Sequence, residues 1–325
     1  MTGLKLLATG SAVPKRQITN DDLAKIVDTN DEWISTRTGI KTRYYAQDEN
    51  SVSLSTEAAI KALESGNIDR DEIGFVIVAT YAPEYLSPSV ACLVHKALSL
   101  SEDVMAFDPN AACTGFIYAL RTAHALLLTR PDKKALIIGC ELLSKTADFT
   151  DRSTCVLFGD GAGAVIASLD PGTAFYCHIG TQGDCDMIFC PGIPNADLPE
   201  IGLKQPEYRP MKVHMNGKEV FRFAVEKLPL SALHVCRQAG IDIADIDYIV
   251  CHQANARIIS YVQKKMELPQ EKFFMNIETY GNTSEASIPL ALDDMNRQGL
   301  LRRGMRLVLV GFGAGFTWGG CLLTW

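Results

Sequence analysis

The sequence predicts an α/β fold in which one α/β unit is duplicated, giving a five-layered αβαβα sandwich. Short apolar runs of strand length alternate with longer segments of helical spacing along the chain. Two pairs of segments also resemble each other at nearly one separation: Glu72–Thr80 resembles Asp245–Gln253 at an offset of 173 residues, and Lys134–Glu141 resembles Arg306–Gly313 at 172. A duplicated unit with two central sheets accounts for the five layers.

The strands and helices of each unit follow from the spacing of their apolar residues. Near-continuous apolar runs suit strands of a sheet covered on both faces; they are GFVIVAT (74–80), KALIIGCE (134–141) and GAVIASL (163–169). Helical spacing marks TEAAIKALES (56–65), FIYALRTAHALLL (116–128) and residues 218–240. Pro229 is expected to kink or end that last run. The repeat divides the chain into an N-terminal half, residues 1–170, and a C-terminal half, residues 171–325.

The composition is that of a globular protein with a sizeable core. Of the 325 residues, 47% are hydrophobic and 21% are charged. The net charge of −7 argues against a general nucleic-acid-binding protein, but it leaves room for a local basic patch that meets an acidic partner. No run approaches the ~18 apolar residues of a membrane span, and the short N-terminal apolar run is not a signal peptide. We therefore expect a cytoplasmic protein whose ten cysteines are reduced thiols.

Cys113 differs from most of the other cysteines in its surroundings. It lies in DPNAACTGFIYAL (108–120), among small residues and directly before an apolar run of helical spacing. A tight turn at a helix N-terminus offers unpaired N–H groups and a positive dipole end, which favour a thiolate. Small neighbours would also let a substrate approach. The segment alone is equally compatible with a buried core cysteine.

Three further segments place polar or glycine-rich patterns beside predicted strands and helices. His252, with Gln253 and Asn255, lies just past an apolar strand, at the end where α/β proteins place their sites. Asn282 lies in a Gly-Asn-Thr-Ser turn that opens a helix. The segment Gly311–Gly320 follows the strand RLVLV and would let the backbone come close to a ligand. Taken singly, the histidine is more typical of a structural residue and the asparagine of a helix cap.

Other kinds of site find little support. Cys177, His178, Cys185 and Cys190 lack the close Cys-x-x-Cys pair of a zinc site. Neither glycine-rich segment fits a dinucleotide-binding turn followed by a helix, and no P-loop, Gly-x-Ser-x-Gly or His-Glu-x-x-His motif occurs. We expect no metal and no cofactor.

The four motifs, taken in this order, resemble those of β-ketoacyl-acyl carrier protein synthase III, a thiolase-fold condensing enzyme that initiates type II fatty acid synthesis. The resemblance runs from GSAVP (10–14) and DTNDEWISTRTGIKTR (28–43) through DRSTCVLFGDGAGA (151–164) to GFTWGG (315–320). It implies a thiolase-like fold and a homodimer. It also implies the decarboxylative Claisen condensation of an acyl-coenzyme A primer with malonyl-acyl carrier protein, both as substrates, through an acyl-Cys113 intermediate.

The resemblance also assigns roles to residues of this chain. The catalytic triad would be Cys113 from the N-terminal half with His252 and Asn282 from the C-terminal half. Ala314 and Phe312 would belong to the oxyanion hole and its loop. The coenzyme A channel would be lined by Thr29, Trp33, Arg37, Arg152 and Asn255. The acyl carrier protein would dock on Arg222, Arg257, Lys264 and Lys265, each of which is otherwise an ordinary solvated charge.

Two residues depart from the family pattern. Ala314 stands where the family usually has glycine, and its N–H can still serve an oxyanion hole if alanine tolerates the local φ. Ser87 stands where the family often has a bulkier residue, contributed across the dimer to the end of the acyl pocket. A small residue there leaves more volume, so we expect a primer larger than acetyl.

Other functions on the same scaffold stay open at this point. They are a secondary-metabolite condensing enzyme or acyltransferase, a non-catalytic partner subunit, and a Cys-His hydrolase. Asn282 favours decarboxylation over simple acyl transfer, and Cys113 argues against a non-catalytic subunit.

Overall fold

The computed structural model describes residues 2–194, 198–201 and 210–325. The strands are β1 (Gly3–Ala12), β2 (Arg16–Thr19), β3 (Thr42–Tyr45), β4 (Ile73–Ala79), β5 (Met105–Phe107), β6 (Lys134–Leu142), β7 (Asp160–Asp170), β8 (Tyr176–Thr181), β9 (Ile188–Phe189), β10 (His214–Met215), β11 (Tyr248–Cys251), β12 (Arg306–Gly313) and β13 (Thr317–Thr324). The helices are α1 (Asn20–Leu23), α2 (Asp31–Thr38), α3 (Ser51–Gly66), α4 (Val90–Ala97), α5 (Gly115–Leu127), α6 (Gly217–Ala239), α7 (Ala256–Lys265), α8 (Ile277–Tyr280) and α9 (Ser287–Arg297).

The buried apolar residues show five layers. Along β4, Phe75 and Ile77 face a central cluster that contains α5, α9 and the inner faces of β11, β12 and β13. Val76 and Val78 face the opposite way, toward α3 and α4. The outer faces of β11 to β13 pack on α6 and α7. This alternation is the period of two of a β-strand with both faces buried, and it confirms the predicted αβαβα sandwich.

The two halves repeat one sheet topology. In the first half the order is β1-β7-β6-β4, antiparallel except for the parallel β6–β4 pair. In the second half β8-β13-β12-β11 has the same order and the same senses. The pairs of segments that the sequence relates, β4 with β11 and β6 with β12, occupy equivalent places, which agrees with the duplication. The boundary at residue 170 stays a prediction.

One expectation about the sheets is wrong. Instead of two separate sheets, the described residues form one nine-stranded sheet. β13 pairs with β8 as far as Leu322, and its end then pairs with β1 through Thr324 and Lys5. This contact covers part of β1, the edge strand of the first half, and the end of β13 that β8 leaves unpaired, where N–H and C=O groups would otherwise be exposed.

Pro229 does not end its helix, although an end there is one of the two outcomes expected from the sequence. α6 runs through Pro229 for 23 residues. Proline lacks the N–H that would bond the carbonyl of Val225 one turn earlier. The Lys265 Nζ, at the end of α7, donates to that carbonyl at 3.0 Å. The orphaned acceptor is thus satisfied from the neighbouring helix.

Candidate active site

Cys113 lies on a short 3₁₀ turn, Ala112–Thr114, that leads directly into α5. Ala112 has a φ of +45°, which is uncommon for a residue with a Cβ and makes the chain turn sharply before the cysteine. The sulfur is half-buried and faces a cavity of about 730 Å³. The predicted placement at a tight turn before a helix is therefore found.

The chemistry of this sulfur differs from the sequence expectation. Burial raises the pKa of the Cys113 thiol to about 12, and the nearby Glu285 carboxyl adds to the effect. The Ser284 hydroxyl donates to the Cys113 Sγ at 3.1 Å, and this hydrogen bond lowers the pKa of the thiol. The sulfur is consequently a thiol at rest, and the helix N-terminus alone does not make it a thiolate.

His252 follows β11 and is held deep in the same cavity. Its backbone N–H donates to the carbonyl of Val310 at 2.8 Å, and its ring Nδ1 lies 2.7 Å from the Ser287 Oγ. Burial lowers the pKa of His252 to about 3, against a hydrogen bond with the Ser284 backbone that raises it. The imidazole is therefore neutral at physiological pH, and His252 lines the cavity.

Asn282 comes from the C-terminal half but is anchored to the N-terminal half. Its N–H donates to the Leu157 carbonyl at 2.8 Å, and its carbonyl accepts from the Gly159 N–H at 2.9 Å. The Oδ1 accepts from the Ser284 N–H at 2.9 Å. Among the described residues no acceptor pairs with the side-chain Nδ2, which is thus available to a ligand in the cavity.

The glycine-rich turn between β12 and β13 packs directly on the Cys113 turn. A Cβ added at Gly313 would lie 2.8 Å from the Cys113 backbone nitrogen, so this position has no room for a side chain. The Thr317 Oγ1 bonds the carbonyls of Ala111 (3.2 Å) and Ala314 (3.1 Å), which ties the two turns together. Ala314 keeps a negative φ, so the substitution for glycine is tolerated without backbone strain.

Phe312 and Ala314 both line the cavity, and their assignment to an oxyanion hole and its loop stays a prediction. The ring of Phe312 meets the His252 ring edge-on, with centroids 5.6 Å apart. Within the described residues, neither the Cys113 nor the Ala314 backbone N–H donates to a carbonyl or side-chain oxygen. Both groups are thus free to donate toward the cavity.

The predicted coenzyme A residues gather mainly at the mouth of this cavity. Asn30 caps α2 by accepting from the Trp33 N–H at 2.7 Å, and the guanidinium groups of Arg37 and Arg152 lie 4.9 and 5.2 Å from the Trp33 ring centre. Trp33, Arg37 and Asn255 line the cavity. Arg152 does not line the cavity itself. It packs on the Trp33 ring and donates to the Asp28 carbonyl at 2.6 Å. The Thr29 hydroxyl is buried and unpartnered among the described residues.

The predicted docking residues spread over α6 and α7. All four are exposed. Arg257 also lines the cavity mouth, whereas Arg222 forms an ion pair with Glu219 at 2.9 Å. Lys265 bonds the Val225 carbonyl, and Lys264 precedes it on α7. A docking role for these residues stays a prediction.

Some residues that shape the site are not among those that the sequence predicted. Tyr81 and Cys190 line the cavity, Ser287 holds His252, and Ser284 contacts the sulfur. The serines sit in the segment that supplied Asn282, so the signal was the polar run GNTSEAS itself. Ser87 is exposed and lies outside the cavity lining of this single chain.

Neither a cluster of metal ligands nor a membrane-spanning helix occurs among the described residues. In residues 2–194, 198–201 and 210–325 no three His, Cys, Asp or Glu side chains group as metal ligands would. Cys177 instead lies 3.3 Å from Cys321, and His178 stacks on His234. In the same ranges no helix has both the length and the apolar character to cross a membrane.

Known proteins similar to this chain share its fold and sequence. Two family models, described as 3-oxoacyl-[acyl-carrier-protein (ACP)] synthase III and its C terminal, match residues 107–183 and 236–325. Beta-ketoacyl-[acyl-carrier-protein] synthase III of Clostridium acetobutylicum is 48% identical, covering 100% of this chain and 99% of that protein.

Solved structures of synthase III enzymes are also similar to this chain. The synthase III of Thermus thermophilus has a TM-score of 0.90 at 40% identity and covers 98% of each chain. The synthase III from Aquifex aeolicus VF5 has a TM-score of 0.89 at 39% identity, covering 99% of this chain and 100% of that one. These relatives do not favour the secondary-metabolite alternative. The chain therefore belongs to the family of β-ketoacyl-[acyl-carrier-protein] synthase III, a condensing enzyme of fatty acid biosynthesis.

Proposed function

We propose that this enzyme condenses an acyl-coenzyme A primer with malonyl-acyl carrier protein through an acyl group carried on Cys113. The observation that carries the proposal is that Cys113, His252 and Asn282, from distant parts of the chain, line one cavity. The same cavity opens past Trp33 and Arg37, which suit an adenine ring and phosphates through stacking and charge.

In the first half-reaction the Cys113 sulfur attacks the acyl thioester. The unpaired N–H groups of Cys113 and Ala314 hold the oxygen as it gains negative charge. Coenzyme A leaves as its thiolate, and an acyl-enzyme remains. The tie that Thr317 makes between the two turns fixes the two donors relative to each other.

In the second half-reaction His252 Nε2 and Asn282 Nδ2 donate to the thioester carbonyl of malonyl-acyl carrier protein. Loss of CO2 then leaves an enolate that these donors stabilise, and the enolate attacks the acyl carbonyl on Cys113. A neutral imidazole is required, because it must donate a hydrogen bond without serving as a strong base, and burial supplies it. The apolar ring of Phe312 beside His252 would favour loss of the carboxylate charge.

The primer pocket has two opposing features. The small Ser87 would leave space if a partner subunit inserts it into the pocket, which supports a primer larger than acetyl. Tyr81, however, already lines the cavity in this chain, with its hydroxyl 3.0 Å from the Thr146 Oγ1. Comparison of acetyl-, isobutyryl- and hexanoyl-coenzyme A as primers decides between the two. Turnover restricted to acetyl-coenzyme A would refute the larger primer.

The partners are also proposed. β5 is an edge strand, and the exposed Met105 on it lies with Tyr85 and Leu86 among the exposed large apolar residues of the N-terminal half. An edge strand with apolar neighbours suits pairing with a second copy, so we propose a cytoplasmic homodimer. Basic residues on α6 and α7, above all Arg257 at the cavity mouth, would steer the acidic carrier protein. We propose no metal and no cofactor.

Mass spectrometry of the intact protein after mixing with acyl-coenzyme A tests the central claim. An acyl mass on the peptide that contains Cys113, followed by its loss and release of labelled CO2 when malonyl-acyl carrier protein is added, is the expected result. Hydrolysis of the acyl group without a 3-oxoacyl product would instead indicate a hydrolase. Light scattering with a Met105→Glu variant tests the dimer, which should dissociate.

A further inference from the structure

Two buried carboxyl groups, those of Glu141 and Glu285, lie close enough to Cys113 to raise the pKa of its thiol. Glu141 is the penultimate residue of β6, and Glu285 lies on the 3₁₀ turn Ser284–Ala286 before α9; they are 0% and 1% exposed. Glu141 accepts from the Tyr81 N–H at 2.8 Å. Among the described residues, no partner bonds the Glu285 Oε2, and no lysine or arginine forms an ion pair with either carboxyl.

Carboxyl groups in this position must share a proton. Two neighbouring carboxylates in a dry site without a cation cannot both be ionised. Burial, and then the neighbouring Glu141, raise the pKa of Glu285 well above its usual range, and burial also raises the pKa of Glu141. The other titratable groups that the pair influences are Cys113, Cys140, Cys190 and Tyr81, whose pKa values are all raised. None of these groups supplies a positive charge.

Ser284 connects this carboxyl pair to the reacting sulfur. The Ser284 hydroxyl donates to the Cys113 Sγ at 3.1 Å, and it can turn instead toward the neighbouring Glu285 carboxyl, whose pKa it lowers. Ser284 has a φ of +52°, a left-handed conformation that is uncommon outside glycine. A hydroxyl has one hydrogen and two lone pairs, so it can accept a proton from one neighbour as it gives its own to the other.

The sulfur needs such an acceptor. It is a thiol at rest, and His252, with a pKa of about 3, is a weak base. A carboxyl pair whose pKa is raised stands closer in basicity to the thiol, which makes the transfer easier. We propose, on the basis of the proposed function, that Ser284 and Glu285 relay the Cys113 proton to the Glu141–Glu285 pair during acyl transfer and return it after condensation.

The proton balance closes over one cycle. The S–H bond breaks as the sulfur electron pair forms the bond to the acyl carbon; its proton goes to the Ser284 Oγ, and the Ser284 proton goes to the Glu285 carboxylate. Coenzyme A leaves as a thiolate and takes its proton from solvent, which is the one proton that the overall reaction consumes. When the enolate attacks, the C–S electron pair returns to the sulfur, and Glu285 reprotonates it through Ser284. Ser284 is thus a catalytic residue, and Glu285 a positioning residue that acts through it.

Single-turnover acylation by the full-length enzyme, measured by mass spectrometry between pH 6 and 9, tests the relay. Glu285→Gln and Ser284→Ala should each slow acylation by roughly 10²-fold, with the double variant no slower than either. In both, the rate should keep rising with pH as hydroxide replaces the relay. The rate of CO2 release by enzyme already acylated should change much less.

The matched control is Asp293→Asn, which removes a buried carboxylate from α9, the helix that follows this turn; there it accepts from the Ser11 Oγ and from Arg297. This variant should acylate at the wild-type rate. Wild-type rates for Glu285→Gln across the pH range, or an equal loss of acylation and CO2 release, would overturn the relay. Formation of acyl-Cys113 by the wild type tests the proposed function separately.

A measurement on the wild type does not depend on whether the variants fold. An infrared difference spectrum of the enzyme before and after acylation should show a new protonated-carboxyl band, because the pair gains the thiol proton. Absence of that band, with complete acylation confirmed by mass, would overturn the proposal.

Discussion

The turn before α5 and the turn before α9 are equivalent parts of the two halves, and they carry different chemistry. Cys113 and Glu285 are separated by the same 172 residues as the start of β6 and the start of β12. Each follows a residue with positive φ, Ala112 at +45° and Ser284 at +52°, and each stands on a 3₁₀ turn that opens a central helix. Duplication has thus built the same sharp turn twice.

The difference between the turns lies in what surrounds them. Cys113 faces an open cavity with polar donors, whereas Glu285 faces the buried Glu141 in a site closed to solvent. The two turns meet where Ser284 contacts the Cys113 sulfur. The same kind of turn therefore serves two roles. The turn at the cavity presents the Cys113 nucleophile, and the buried turn carries the Glu285 carboxyl that accepts its proton in the proposed relay.

Removing the thiol from the open turn should have the largest effect. Cys113→Ser should lower the rate of acyl transfer from coenzyme A by roughly 10³-fold or more, because the hydroxyl is a far weaker nucleophile. Intact-mass measurement should find no acyl adduct on this variant. Cys92→Ser, which alters an exposed thiol on α4, is the control and should acylate normally. A full acyl adduct on Cys113→Ser would place the nucleophile elsewhere.

The next largest effect separates the two half-reactions. His252→Ala or Asn282→Ala should still accept the acyl group but should condense about 10²- to 10³-fold more slowly, since each loses one donor to the enolate. Acylation is followed by mass and condensation by labelled CO2. His95→Ala, on the surface helix α4, should leave both steps unchanged. Normal condensation by either triad variant would contradict the assigned roles.

Much of this architecture can be predicted from the sequence, but the character of the buried turn that carries Glu285 cannot. The offset near 172 predicts two equivalent halves, and the strand runs predict the sheet, because buried parallel strands are almost wholly apolar. Motifs together point to Cys113, His252 and Asn282. Glu285, by contrast, looks like an ordinary acidic residue at a helix start, where it would cap the dipole. Only its burial against Glu141, 144 residues away in the chain, reveals its character.

Contacts between distant side chains account for the other differences. The joining of β1 to β13 rests on the single pair Lys5 and Thr324 and has no local sequence signal. The helix α6 continues through Pro229 because Lys265 satisfies the freed carbonyl, and such a partner cannot be found by helix propensity alone. The raised pKa of Cys113 follows from burial and from Glu285, so the position at a helix N-terminus does not by itself determine the pKa of the thiol.

A smaller effect tests the carboxyl pair through stability. A carboxyl whose pKa is raised in the folded state stabilises the fold fully below its unfolded value, near 4.5, and loses that contribution as pH rises through the folded pKa. Glu285→Gln imitates the protonated form at every pH. Its thermal midpoint should therefore rise relative to the wild type as pH increases from 5 to 9, and Glu141→Gln should show the same sign. Midpoints that stay parallel over this range would mean that the pair does not share a proton in the folded enzyme.

The smallest effect concerns the outer helices, where the halves also differ: α3 of the first half contains no proline, and α6 of the second contains Pro229. Lys265→Met removes the donor to the Val225 carbonyl, so its thermal midpoint should fall by about 2–4 °C. Lys264→Met, the adjacent exposed lysine, should leave the midpoint unchanged. If Lys265→Met instead keeps full stability and raises the KM for malonyl-acyl carrier protein, the lysine serves docking and the carbonyl is satisfied by water.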